Sequence, residues 1–266
     1  MSITWVLEKI VFDDQHQRLA EAAQAAGQKV RWWKDDWLMG KLPKVDGFAL
    51  FHGSLGVAAQ VAEDPRWRPG AFCKTSAFHC SAWYERAQEW LVHEKWTAST
   101  VRRLVDDPHS VLGPLGVPVR FFVRPDSPLK PFAGRVLSVD ELSLKALDHG
   151  FYYDDENLPI IVAPIREILD EWRFVVVGKE VVAWSSYEAD RSEKEVPVPD
   201  EAKGLAEHIA QSLDGPEAIY VMDLCRLPSG LALMELNPFS GADLYGCDRS
   251  AVVQAVAQLL ETEGRD

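Results

Sequence analysis

Two carboxylates and an amide near the carboxyl end have the types and spacing for metal chemistry. They are Asp223 and, within the run Met234-Glu235-Leu236-Asn237-Pro238, Glu235 and Asn237. Ala218 to Leu224 and Leu231 to Leu236 are apolar and strand-like, and Pro228-Ser229-Gly230 between them reads as a hairpin turn. Side chains alternate along a strand, so Glu235 and Asn237 point the same way. A register centred on Ser229 sets Asp223 opposite Glu235. The spacing therefore predicts hard oxygen ligands on one sheet face, suited to Mg2+ carrying a phosphorylated substrate. The plain alternative is a hairpin whose polar face meets water. Apolar flanks and cations elsewhere in the chain favour the metal.

Those cations are three. Val119 to Arg124 is a β-branched and aromatic strand closed by Arg124-Pro125, and the polar loop after it carries Lys130 before a returning strand near Arg135. Together they make a flap that could close over a polyphosphate. Arg124 can fork two phosphate oxygens, and Lys130 adds a point charge. Taken alone, the segment is a proline-rich loop with two solvated cations. Arg173 opens a Val-rich hairpin turning at Gly178-Lys179 and could face the same site. The apolar strand Pro159 to Ile165, through Val162, Ala163 and Ile165, could offer backbone groups to an adenine edge, with Glu167 near a ribose.

These residues need a scaffold. At 266 residues, 47% hydrophobic and 26% charged, the composition is that of a globular enzyme with two or three subdomains. A net charge of −13 argues against a nucleic-acid or anionic-membrane partner. Cys73, Cys80, Cys225 and Cys247 form no CxxC pair. Cys73, His79 and Cys80 suggest zinc but lack a fourth ligand, so the cysteines read as reduced, buried thiols of a cytoplasmic protein. No signal peptide or membrane span is expected, and the ten tryptophans read as packing.

The amino-terminal part alternates strand and helix. Ile3 to Leu7, Lys29 to Trp33 and Gly47 to Phe51 read as strands of a small parallel sheet, with a helix capped at Asp13 or Asp14 and ended by Gly27. The His52-Gly53-Ser54 turn could offer backbone N–H groups to an anion, or be only a tight turn. Further helices are expected at Ser81 to Leu91, Thr100 to Val105, from an Asp200 cap to Leu213, and from Asp248 to the end.

The order of these pieces resembles the ATP-grasp superfamily. The likeness runs from Arg124-Pro125 with Lys130, through Pro159 to Ile165 and Glu171-Trp172-Arg173, to Asp223 and Glu235-x-Asn237-Pro238. It is nearest to a clade related to ribosomal-protein glutamate ligases, in which arginine replaces the lysine of a Lys-Pro strand end. It implies an α/β protein, α+β in its carboxyl-terminal half. Residues 1–75 would form a Rossmann-like pre-ATP-grasp domain, 76–165 a lid, and 166–266 a carboxyl-terminal subdomain with the metal site. It implies an ATP-dependent carboxylate-amine ligase working through an acylphosphate, with ATP and two Mg2+ ions, on small-molecule or peptide carboxylates and amines, and it allows a homodimer. By matching positions, Asp223, Glu235 and Asn237 would ligate metal. Arg124, Lys130 and Arg173 would clamp phosphate, with Arg124 and Arg173 catalytic, and Ser240 could contact the transferred group. Most members also carry a lysine on the strand that opens the lid; Lys74 and Lys95 both fit. A kinase and a non-catalytic ATP-binding module are the alternatives.

Overall fold

The computed structural model describes residues 2–12, 15–40, 42–116, 119–147, 155–187 and 197–263. The cap expected at Asp13 or Asp14 lies outside them. Three four-stranded sheets organise the chain. The first contains β1 (Ile3–Leu7), β2 (Lys29–Trp32), β3 (Phe48–His52) and β4 (Pro69–Gly70), all parallel in the order β2-β1-β3-β4. Helices α1 (Gln15–Ala25) and α2 (Leu55–Ala62) cover its two faces, so every residue of β1 is buried, as a parallel sheet requires.

The second sheet is antiparallel, in the order β5-β8-β6-β7: β5 (Thr97–Thr100), β6 (Arg120–Pro125), β7 (Arg135–Ser138) and β8 (Pro159–Ala163). Along the chain, α3 (Cys80–Trp83) falls between the first two sheets. Three short helices, α4 (Val101–Asp106), α5 (Pro108–Leu112) and α6 (Leu144–Leu147), close one face over Phe121, Val123, Ile160 and Val162.

The third sheet, β10-β9-β11-β12, is also antiparallel, with β9 (Asp170–Val177), β10 (Glu180–Ser186), β11 (Ile219–Leu227) and β12 (Gly230–Pro238). β9 and β10 join through Gly178 and Lys179, both at positive φ (55° and 74°), the pairing a tight hairpin favours. Helix α7 (Asp200–Ser212) packs on the face of Phe174, Val176 and Met222. Helix α8 (Arg249–Glu263) packs on the face of Val175, Val177 and Val221, joining them to the first sheet.

Two helix expectations need correction. The helix expected over Ser81 to Leu91 stops at Trp83 and continues as turns. Its far end has other partners: the Leu233 N–H donates to the Trp90 carbonyl (2.6 Å), and the Val92 N–H donates to the Leu233 carbonyl (2.9 Å). Backbone groups held by a strand edge cannot also complete a helix, so tertiary pairing wins. Asp200 is not the cap of α7; Pro199 is, and Asp200 adds negative charge to the first turn.

Candidate functional site

The register of the third sheet places one residue from each of three neighbouring strands in a row: Arg173, Asp223 and Glu235. Arg173 Nε and Nη2 each donate to an Asp223 carboxylate oxygen at 2.8 Å. Its Nη1 donates to the Asp243 carbonyl (2.6 Å), and the guanidinium lies 4.6 Å from the Tyr245 ring centre. Arg173 and Asp223 are both buried. Glu235 accepts from Arg124 on one oxygen and from Lys130 Nζ (2.9 Å) on the other. Asn237 Nδ2 donates to both acids, at 2.9 Å to Asp223 and 3.1 Å to Glu235. The structure thus brings all three expected metal ligands and all three expected phosphate cations into one cluster.

Charge decides how such a cluster survives burial. Burial alone would raise the pKa of Glu235, but Arg124 and Lys130 outweigh it and hold the carboxyl at about 2. Burial likewise works against the charge of Arg124 and Arg173, and their acid partners more than restore it. Three cations facing two carboxylates leave one net positive charge, a surplus suited to an anion.

The end of β6 is anchored independently. Asp126 accepts from the Ser81 N–H (2.7 Å), the Ser81 hydroxyl (2.8 Å) and His79 Nδ1 (3.1 Å), fixing the strand end that carries Arg124. This contact occupies His79. Cys73 and Cys80 are buried thiols whose pKa burial raises, Cys73 to about 12. Among the described residues no three His, Cys, Asp or Glu side chains converge to hold a metal. The zinc suggestion at Cys73, His79 and Cys80 therefore finds no support.

A cavity of about 410 Å³ opens between the second and third sheets. Arg124, Lys130 and Glu235 line it, together with Tyr84, His93, Phe122, Ile165, Glu171, Tyr187 and Met234. A smaller hollow of about 260 Å³ shares Lys130 and Tyr187 and adds Phe12, Arg173, Asn237 and Tyr245. The ion-paired cluster thus contributes residues to two hollows.

The remaining expected site residues scatter. Val162 is buried in the core of the second sheet, and Ala163 pairs with Phe122. Ile165 lines the large cavity, whereas Glu167 lines a groove beside Leu227, Pro228 and Ser229. Lys74 lines another hollow with Glu63 and Glu217, and Lys95 is exposed and lines neither hollow at the cluster. Ser240 is fully buried; its hydroxyl accepts the Phe72 N–H (2.9 Å) and its carbonyl accepts the Gly53 N–H (2.9 Å). It fastens the first sheet to the third instead of reaching a ligand. The Ser54 N–H, a candidate anion donor, already donates to the Glu8 carboxylate (2.7 Å). Sequence reasoning passes over His93, Tyr187 and Tyr245, which carry no motif spacing, and it names Glu171 only as part of Glu171-Trp172-Arg173, without a role of its own. Met234 carries a signal in its place beside Glu235.

The donor set fits Mg2+. Asp223 and Glu235 present hard oxygens, each with lone pairs beyond those its present bonds use. Asn237 now gives its N–H groups to both acids, so ligation through its oxygen requires the amide to turn over.

A parallel amino-terminal sheet, an antiparallel flap and an antiparallel floor bearing paired acids, with a cleft between flap and floor, define the ATP-grasp fold. Residues 102–255 match a family described as an ATP-grasp domain, the second family of its clade, and the chain belongs to that family. No curated protein matches the sequence. Among solved structures, a RimK-domain ATP-grasp protein from Sphaerobacter thermophilus is similar over 97% of this chain and 99% of its own, with a TM-score of 0.62 at 14% identity. A D-alanine–D-alanine ligase from Bacillus anthracis, complexed with ATP, is similar over 99% and 98%, with a TM-score of 0.62 at 13% identity. A peptide-associated ATP-grasp ligase from Chryseobacterium gregarium, in complex with ADP and a leader and core peptide, is similar over 99% and 97%, with a TM-score of 0.61 at 10% identity. At these identities the likeness is one of fold.

Proposed function

We propose that this protein is an ATP-dependent carboxylate-amine ligase that activates its substrate as an acylphosphate and forms an amide or peptide bond. The observation that carries the reading is the row Arg173, Asp223 and Glu235 at the edge of the cleft, with Arg124 and Lys130 bound to the last acid. Family membership supplies the nucleotide. The base occupies the part of the cavity walled by Phe122, Ile165 and Met234. The strand through Val162, Ala163 and Ile165 offers its backbone to the base edge. Glu171, which lines the cavity, is better placed for the ribose than Glu167.

Arg124, Lys130 and Arg173 bind the phosphates, and Asp223, Glu235 and Asn237 hold Mg2+, two ions in this reading. The metal supplies neutralisation of charge across the phosphate chain. Arg124 and Lys130 then exchange Glu235 for phosphate oxygens, so each cation keeps a partner in both states. In the reaction a substrate carboxylate oxygen bonds to the γ-phosphorus as the bond to ADP breaks. The amine nitrogen then bonds to the acyl carbon and phosphate leaves. No covalent protein nucleophile is needed, and positioning with electrostatic stabilisation does the work. The smaller hollow, with Phe12, Arg173 and Tyr245, takes the carboxylate substrate. In the same reading residues 1–75, 76–165 and 166–266 act as substrate-side domain, lid and floor, and the protein works in the cytoplasm.

Trapping with hydroxylamine tests the chemistry. Incubation with ATP, Mg2+, hydroxylamine and pools of amino acids and peptides is expected to yield a hydroxamate in step with ADP. Phosphate transferred to a hydroxyl would instead make the protein a kinase. Nucleotide binding without turnover in any pool would favour a binding module.

A further inference from the structure

Lys130 and Tyr187 are the two described residues that line both the large cavity and the smaller hollow. In the ligase reading the γ-phosphate approaches from the first and the carboxylate from the second, so the two meet beside this pair. Lys130 belongs to the flap loop and changes partner when phosphate arrives. Tyr187 is the fixed side of the junction.

Its place is set by the floor sheet. Tyr187 directly follows β10, where Ser185 pairs with Arg173, and its N–H donates to the Glu171 carbonyl (3.0 Å). Side chains alternate along a strand, so Tyr187 shares the cleft face with Glu171 and Arg173. Its ring packs on that of Tyr245, with centres 4.9 Å apart and planes at 60°, and the Arg173 guanidinium lies 5.9 Å from its centre. Tyr245, which lines the smaller hollow, is braced on both sides. Arg173 Nη1 donates to the Asp243 carbonyl before it, and the Ser185 hydroxyl oxygen accepts the Gly246 N–H after it (3.0 Å). Between these bonds Tyr245 takes a φ of 43°, a left-handed conformation that a bulky side chain adopts only where its surroundings impose it. The backbone is thus constrained to present a second ring at the junction.

An acylphosphate formed there has two fates. The amine nitrogen bonds to the acyl carbon and phosphate leaves, which makes the amide. In the competing step a water oxygen bonds to the same carbon, phosphate leaves and a proton passes to solvent. The carboxylate is then regenerated, and ATP is consumed as ADP and phosphate with no amide formed.

We propose that Tyr187, braced by Tyr245, is a positioning residue that walls the junction against water and so directs the acylphosphate to the amine. Two packed rings occupy the space through which that water would reach the acyl carbon, and they offer it apolar faces. The inference rests on the ligase reading of the site.

The test measures hydroxamate formed per ADP released, with Mg-ATP, a carboxylate pool that supports turnover and a fixed, subsaturating concentration of hydroxylamine. Tyr187→Ala is expected to lower that ratio about fivefold or more, whatever its rate of ADP release, because more of the intermediate goes to water. Tyr187→Phe keeps the ring and is expected to keep the wild-type ratio. Tyr245→Ala removes the brace and should lower the ratio as well, and it decides by the same reading should Tyr187→Ala fail to fold. Partial unfolding lowers hydroxamate and ADP together and does not mimic the effect. A wild-type ratio in Tyr187→Ala overturns the proposal while leaving the ligase reading intact. An equal loss in Tyr187→Phe overturns it too, since the role would then lie in the hydroxyl. Absence of hydroxamate from the wild-type protein in every pool would defeat the ligase reading and this inference together.

Discussion

Asp223 and Glu235 stand directly opposite each other across β11 and β12, yet the ladder between them and the turn is out of step by one residue. Nearest the turn Leu227 faces Gly230 and Leu224 faces Leu233, a register centred between Pro228 and Ser229. The next pair is Asp223 with Glu235, so Met234 is the extra residue of a β-bulge. The bulge sits where Leu233 bonds to Trp90 and Val92, and Met234 lines the cavity beside Glu235.

Replacing Glu235 with Gln keeps the shape and removes one of the two carboxylates. ADP formation with a productive substrate pool is expected to fall by roughly 100-fold or more. Far-ultraviolet circular dichroism should be unchanged. Full turnover in E235Q would exclude this acid as a metal ligand.

Asp223→Ala leaves Arg173, 6% exposed, without its counter-charge. A loss of about 3–5 kcal/mol in urea unfolding is expected. The double variant Asp223→Leu with Arg173→Met removes both charges and should recover much of that loss, separating the cost of an orphaned charge from the worth of the pair.

Stability should depend on pH through three groups, the buried His93 and the half-buried Glu235 and Glu217. Glu235, at about 2 against an ordinary 4.5, contributes stability present above about pH 4.5 and lost as pH falls towards 2. His93, pushed down to about 4 from 6.5, contributes stability present above 6.5 and lost as pH falls through 4. Glu217 acts in the opposite sense: burial raises it to about 7, so its contribution is present below about 4.5 and lost as pH rises through 7. The last two oppose each other between about pH 4.5 and 6.5. Urea midpoints across about pH 4–8 should separate them, because Glu217→Gln removes the alkaline-side loss and His93→Leu removes the acid-side one.

The seating of the first sheet on the third has a steric test. A Cβ on Gly241 would lie 2.9 Å from the Leu55 Cα and 2.4 Å from its Cδ1. Backbone, not only a side chain, must move. Gly241→Ala should cost about 1–3 kcal/mol in urea unfolding. A neutral result would mean that the loop after β12 and helix α2 are not held together.

Much of this architecture is legible in the residues because local signals and burial agree there. β1 and the Gly178-Lys179 hairpin follow from apolar runs and turn chemistry. The Asp223–Glu235 pairing follows from a turn centred half a residue away, and the bulge at Met234 supplies the difference. A bulge has no strong local signature, since it depends on Trp90 and Val92, far away in sequence. The same cause hides the short α3 and the roles of His93, Tyr187 and Tyr245, whose meaning is set by what folds against them. Ser240 misleads for the converse reason: its place after Asn237-Pro238 suggests a ligand contact, but its hydroxyl is taken by Phe72.

Mass action gives a first check on nucleotide binding. At a Mg-ATP concentration about 100 times the dissociation constant, the melting temperature should rise by roughly 5–10 °C. Mg2+ alone should give less, because Arg124, Lys130 and Arg173 already neutralise the acids.

The most direct measurement is a crystal structure with Mg2+ and a non-hydrolysable ATP analogue. The triphosphate is expected among Arg124, Lys130 and Arg173, with Lys130 released from Glu235 and metal density on Asp223 and Glu235. A nucleotide bound elsewhere, or bound with the Arg124–Glu235 and Lys130–Glu235 pairs intact and no metal on either acid, would contradict the proposed site.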